Sequence, residues 1–99
     1  MKVVYPENCL WSYKKQSTVA SLIEKRIILL IGKEKAGRID ELVFDNEKDE
    51  VCENYFEASE LDKKHYKIVL DESYLFNLIR SGDGRNRFDS IILNFEGLT

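Results

Sequence analysis

Between Val19 and Ile23 the apolar residues recur at helical spacing, as Val19, Leu22 and Ile23, and Ser17 or Thr18 stands where an N-cap belongs. Ser21 and Glu24 repeat the capping-box spacing one turn later, which defines the helix start only to within a turn. The period then changes. Ile27, Ile28, Leu29, Leu30 and Ile31 form an unbroken apolar run ending at Gly32. Such a run predicts a strand covered on both faces, with a buried continuation of the helix as the other solution. Gly32 to Gly37 is a polar connector with glycine at both ends, and Arg38 to Asp45 carries Ile39, Leu42, Val43 and Phe44. Two strands about a short glycine-flanked loop predict an antiparallel hairpin.

Residues 46–59 fit two patterns. Val51, Cys52, Tyr55 and Phe56 fall at i, i+1, i+4 and i+5, as in a helix that Asn46 would cap, with Glu47, Asp49 and Glu50 near its positive end. The same segment lies between two strand-like runs and completes a meander, and strand is the expectation adopted. His65 to Leu70 predicts a further strand, after which Asp71 is placed to cap a helix over Glu72 to Arg80. Leu75, Leu78 and Ile79 form the apolar stripe of that helix, and Gly82 is placed to end it. Ser81 to Arg87 reads as a loop and Phe88 to Phe95, with Ile91, Ile92 and Leu93, as a closing strand. An antiparallel meander over Ile27 to Leu70 followed by a strand–helix–strand crossover predicts a single α+β domain over residues 1–99. Its sheet is expected to be mainly antiparallel, with about five strands and two helices packed on one face.

Composition agrees with a folded domain. The chain has 99 residues, 43% of them hydrophobic, and only one proline; at this size about 65% of the unfolded surface can be buried, enough for a core without staples. Cys9 and Cys52 match no metal or redox spacing, so reduced core thiols in a cytoplasmic protein are expected. Lys2, Glu7 and Lys14 interrupt the N-terminus before any signal-peptide h-region can form. The run Ile27 to Ile31 is too short for a bilayer, so no membrane role is expected.

Charge alters the picture most. Ten of the eighteen carboxylates lie between Asp40 and Asp62 against Lys48 alone, a formal charge of −9, whereas residues 1–39 carry +5 and residues 63–99 carry +1. The net −3 hides this polarity, which governs partners and association rates rather than fold.

Candidate chemistry is sparse. The single histidine, His65, reads as a strand-end residue, with no second histidine or cysteine at ligand spacing. The glycines of Ser81 to Arg87 follow a helix, so the nearby helix end is the negative one and disfavours phosphate; Arg85 and Arg87 are left as contacts for a carboxylate. The segment Asp45 to Glu50 lacks the central glycine of an EF-hand loop and places Lys48 among the ligands. Lys14, Lys15, Lys25, Arg26, Lys33, Lys35 and Arg38, with Trp11 and Tyr13, form a basic third, but a pI of 5.2 and the −9 segment repel a polyanion. No metal, cofactor, direct nucleic-acid contact or catalytic residue is therefore expected.

What this leaves is a binding protein, not an enzyme, that neutralises a basic protein partner by occlusion. Its most concrete form is an immunity protein or antitoxin against a nuclease-type toxin domain, with Asp45, Glu47, Asp49, Glu50 and Glu53 facing the partner's Lys and Arg, and Tyr55 and Phe56 as anchors. No motif places the chain in a family; the expectation rests on size, acidity and the lack of a catalytic motif. The alternatives are a phage-type inhibitor of a host nucleic-acid enzyme, and a structural or regulatory subunit pairing through the Ile91 to Leu93 strand or a sheet edge. The oligomeric state is left open.

Overall fold

Ser12 starts the first helix: its Oγ accepts the Lys15 N–H at 3.2 Å and caps α1 (Tyr13–Ile31), one turn before the expected start. The computed structural model describes residues 1–45, 55–58, 65–80 and 85–94. Within it the run Ile27 to Ile31 is not a strand but the last turns of α1, which lasts 19 residues. Val19, Ile23 and Ile27 make its buried stripe, Ile28, Leu30 and Ile31 are half-buried on its flanks, and Leu29 points outward. An all-apolar run is therefore compatible with a helix whose end is wrapped on three sides. Gly32 closes α1 at φ +88°, its N–H donating to the Ile28 carbonyl at 2.8 Å.

The connector expected to be a hairpin loop contains a single helical turn, α2 (Lys33–Ala36). Because α1 and α2 fill this connection, the chain re-enters the sheet in its original direction. Strand β1 (Lys2–Val4), too short to show a pattern, pairs parallel with β2 (Ile39–Asp45), Val3 opposite Leu42. The expected antiparallel hairpin is thereby replaced by a parallel crossover. Strand β4 (Tyr66–Asp71) lies parallel on the other side of β2, with Leu42 opposite Ile68 and Asp45 opposite Asp71. Strand β3 (Tyr55–Ala58) joins as an antiparallel edge, Tyr55 opposite Val69, a strand in the described part of the segment 46–59, whose other residues lie outside the described ones. The order is β1-β2-β4-β3.

After β4 come α3 (Ser73–Ile79) and α4 (Asn86–Leu93). The last corrects the predicted closing strand: Phe88, Ile91 and Ile92 are spaced i, i+3, i+4, and Phe88 and Ile92 are fully buried along one helix face. Ile91 to Leu93 consequently offers no strand for pairing with a copy. The mainly antiparallel sheet with two helices is overturned altogether: β1, β2 and β4 are all parallel, and the described residues form four helices. Both errors share one cause, a short apolar run read as a strand. The expected cap Gly82 lies outside the described residues.

Alternation sets the two faces of the sheet. Ile39, Leu42, Phe44, Ile68 and Leu70 join Val19, Ile23, Ile27, Ala36, Leu75, Leu78, Phe88 and Ile92 in one core, so every described helix packs into the same cluster. On the opposite side Val4, Val43 and Val69 line up in register, followed by Asp45 beside Asp71. No helix among the described residues is long and apolar enough to cross a membrane.

Candidate functional site

Parallel strands place all their carboxyl ends at one edge, and the loops that leave β1 and β4 meet there. Asp45 ends β2 and Asp71 ends β4, neighbours in register on one face. The carbonyl of Asp45 accepts the N–H of Glu72 at 3.1 Å, which fixes the start of α3 against the end of β2. Asp71 Oδ1 accepts the Ser73 N–H at 2.8 Å from the last position of β4, so Asp71 supplies the expected cap bond, although α3 begins one residue later than expected, after Glu72, whose own side chain makes no cap bond.

Between the β1–α1 loop and α3 lies a crevice of about 240 Å³, walled by Pro6, Cys9, Trp11, Glu72, Leu75 and Phe76. Its two aromatic walls, Trp11 and Phe76, meet edge to face at 6.4 Å and 86°, and Tyr5 backs Trp11 at 5.9 Å and 65°. Lys15 Nζ sits 4.5 Å above the Trp11 ring. The loop is anchored to α1 by the Tyr5 hydroxyl, which donates to the Gln16 carbonyl at 2.5 Å, and by Gln16 Nε2, which donates to the Trp11 carbonyl at 3.2 Å. Burial, with the neighbouring Cys9 adding to it, pushes the Tyr5 phenol up to about 12. Leu10, 97% exposed, and Phe76 stand at the rim. Cys9, expected in the core, is instead half-buried on the crevice wall with a free thiol.

Of the residues predicted to bind a partner, Asp45 reaches this edge. Glu47, Asp49, Glu50 and Glu53 lie outside the described residues, although Glu47 follows Asp45 by two positions. Tyr55 and Phe56 lie on β3, the opposite edge strand from β1. Asp71, Glu72, Trp11 and Phe76 take part, where sequence reasoning named Asp71 as a cap and Trp11 as an aromatic of the basic third but did not place any of them in a partner site. Phe76 carried a readable signal, an aromatic out of phase with the Leu75 and Leu78 stripe.

The remaining candidates are accounted for by contacts within the fold. His65 Nδ1 lies 2.9 Å from Asp40 Oδ1 at the amino end of the sheet, both side chains well exposed. Arg87 stacks on Tyr74 at 4.7 Å, and Arg85 Nε donates to the Arg80 carbonyl at 3.1 Å. Arg26 grips Asp89 through two guanidinium nitrogens, Nε donating to Oδ1 at 3.0 Å and Nη2 to Oδ2, and this hydrogen bonding raises the Arg26 pKa further. No three His, Cys, Asp or Glu side chains among the described residues converge as metal ligands. No protein-family model, curated protein or solved structure matches the chain, and its functional reading therefore rests on these residues.

Proposed function

We propose that this is a cytoplasmic binding protein that neutralises a basic partner by occlusion, in the manner of an immunity protein or antitoxin facing a nuclease-type toxin domain. The observation that carries the reading is the juxtaposition at the carboxyl edge. Asp45 and Asp71 stand side by side, and Glu72 forms part of the wall of a crevice that also presents Trp11 and Phe76. The chain leaves Asp45 directly into the most acidic part of its sequence. Carboxylates in such an array steer a cationic surface and raise its association rate, whereas a half-exposed aromatic beside an apolar crevice supplies the buried area that slows dissociation. Occlusion of this kind needs no catalytic group.

The test is binding kinetics against basic nuclease-type toxin domains, together with protection of cells that express them. Replacing Asp45, Glu47, Asp49 and Glu50 by Asn and Gln should slow association and flatten its salt dependence. Phe76→Ala should mainly quicken dissociation, by about tenfold or more if Phe76 is an anchor. Unchanged rates at low salt in both variants, with protection intact, would exclude this edge as the recognition surface.

A further inference from the structure

A second surface, of opposite character, lies on the helical side. Helix α1 turns Leu22 and Leu29 outward, 55% and 74% exposed, seven residues apart on one stripe. Facing them are Leu78 and Ile79 at the end of α3, the latter 45% exposed, and together they floor a groove of about 270 Å³. Lys25, Arg26 and Arg85 stand along it, and among the described lining residues there is no carboxylate. Leu22, Leu29 and Ile79 lie outside the core cluster that holds Val19, Ile23 and Ile27, and present contiguous apolar surface to water.

We infer that this groove is a docking site for an acidic amphipathic helix of another protein. Size comes first. Small-molecule sites begin at about 300 Å³, so the groove is scaled to a few side chains of a larger partner rather than to a cofactor. Leu22 and Leu29 are separated by about 10 Å along α1, two helical turns, which matches apolar anchors at i, i+3 and i+7 of a docked helix. The sign of the partner follows from the rim. Arg26 is already engaged by Asp89, but Lys25 and Arg85 place two further cations on the groove wall, and these complement Asp or Glu flanking an apolar stripe.

The same residues argue against other occupants. A second copy docked through α1 about a two-fold axis would bring Lys25 and Arg26 against their own counterparts, a like-charge contact. A nucleic acid would meet a floor of leucine and isoleucine, with no aromatic ring among the described lining residues on which a base could stack. The surface is also concave, whereas a membrane-adsorbed helix presents a convex apolar face.

The test uses two designed helical peptides with leucine at i, i+3 and i+7, one flanked by glutamate and the other by lysine, and the whole protein. The glutamate peptide should bind, shifting the amide resonances of Leu22, Leu29 and Ile79; the lysine peptide should bind at least about tenfold more weakly. Leu29→Asp should abolish binding without moving the denaturant midpoint, because that side chain is mostly in water. Lys25→Glu with Arg85→Glu should reverse the preference between the peptides. The variant neutralised at Asp45, Glu47, Asp49 and Glu50 should bind the glutamate peptide normally, which separates this site from the acidic edge. Equal binding of both peptides, resonance shifts elsewhere, dimerisation that Leu29→Asp abolishes, or Leu29-dependent binding to anionic phosphatidylserine vesicles in preference to the peptide would each overturn the inference.

Discussion

Tyr5 shows how much one side chain can couple. Its hydroxyl ties the end of β1 to α1, its ring supports Trp11, and its burial beside Cys9 makes ionisation unfavourable. The phenol pKa rises from 10.0 to about 12 on folding. The protonated form is the one the fold favours, so this contribution is fully present below the unfolded pKa and is lost as pH rises through the folded one. The contribution of Tyr5 should therefore hold level up to pH 10.0 and fall between there and about 12, with phenolate absorbance reporting its late titration. Tyr5→Phe should remove that late step and cost about 1 kcal/mol at neutral pH through the lost bond to Gln16, measurable by denaturant titration. The Arg26–Asp89 pair is partly solvated, with side chains 27% and 13% exposed, so Asp89→Ala should cost only on the order of 1 kcal/mol.

At the scale of elements, the two glycines around α2 are not equivalent. Gly32 lies at φ +88°, ψ 160°, and a Cβ there would meet nothing within 4 Å, so its constraint is purely one of backbone conformation. Gly32→Ala should cost about 1 to 3 kcal/mol. Gly37 has right-handed helical angles, and a Cβ would touch the carbonyls of Lys33 and Glu34 at 3.4 Å, an ordinary contact. Gly37→Ala should be neutral or stabilise by about 0.5 kcal/mol. Equal losses at both positions, seen in denaturant midpoints, would contradict this account of the α1–α2 corner. In α3, Leu78→Ala should cost about 2 to 5 kcal/mol because that residue packs in the common core, and Asp71→Ala on the order of 1 kcal/mol through loss of the Ser73 cap. Ile79→Ala, on the groove side, should leave stability nearly unchanged.

Over the whole molecule, charge is segregated by the topology. The parallel strands gather Asp45, Asp71 and Glu72 at their carboxyl ends, while Lys25, Arg26 and Arg85 line a groove on the helical side. A chain of net −3 thus offers two surfaces of opposite sign. Association with a basic partner at the acidic edge should slow markedly as salt rises, since the Debye length shrinks from about 30 Å at 0.01 M to about 8 Å at 0.15 M. Stopped-flow rates across that range check it; a flat profile would mean that the carboxylates lie away from the encounter surface.

The acidic middle of the chain, the β4 strand, the Asp71 cap bond and the burial of Leu75 and Leu78 in α3 were legible in the sequence, because each depends on residues within a turn or two of one another, whereas Ile79, placed on the same stripe, is 45% exposed. Strand direction was not, and neither was the identity of the two apolar runs. Ile27 to Ile31 and Ile91 to Leu93 are each too short to distinguish a fully covered strand from a helix wrapped by neighbours. Only the packing of α1 and α4 against the sheet decides it, by burying Ile27 and Ile92 completely and leaving Leu29 and Leu93 in water. Once the first run is helical, β1 and β2 must run parallel, and parallel strands carry Trp11, Phe76, Asp45 and Glu72 to a common edge. Trp11 is far along the chain from Glu72 and Phe76, so the crevice between them exists only as a product of tertiary topology, whereas the acidity of the segment that begins at Asp40 was written locally.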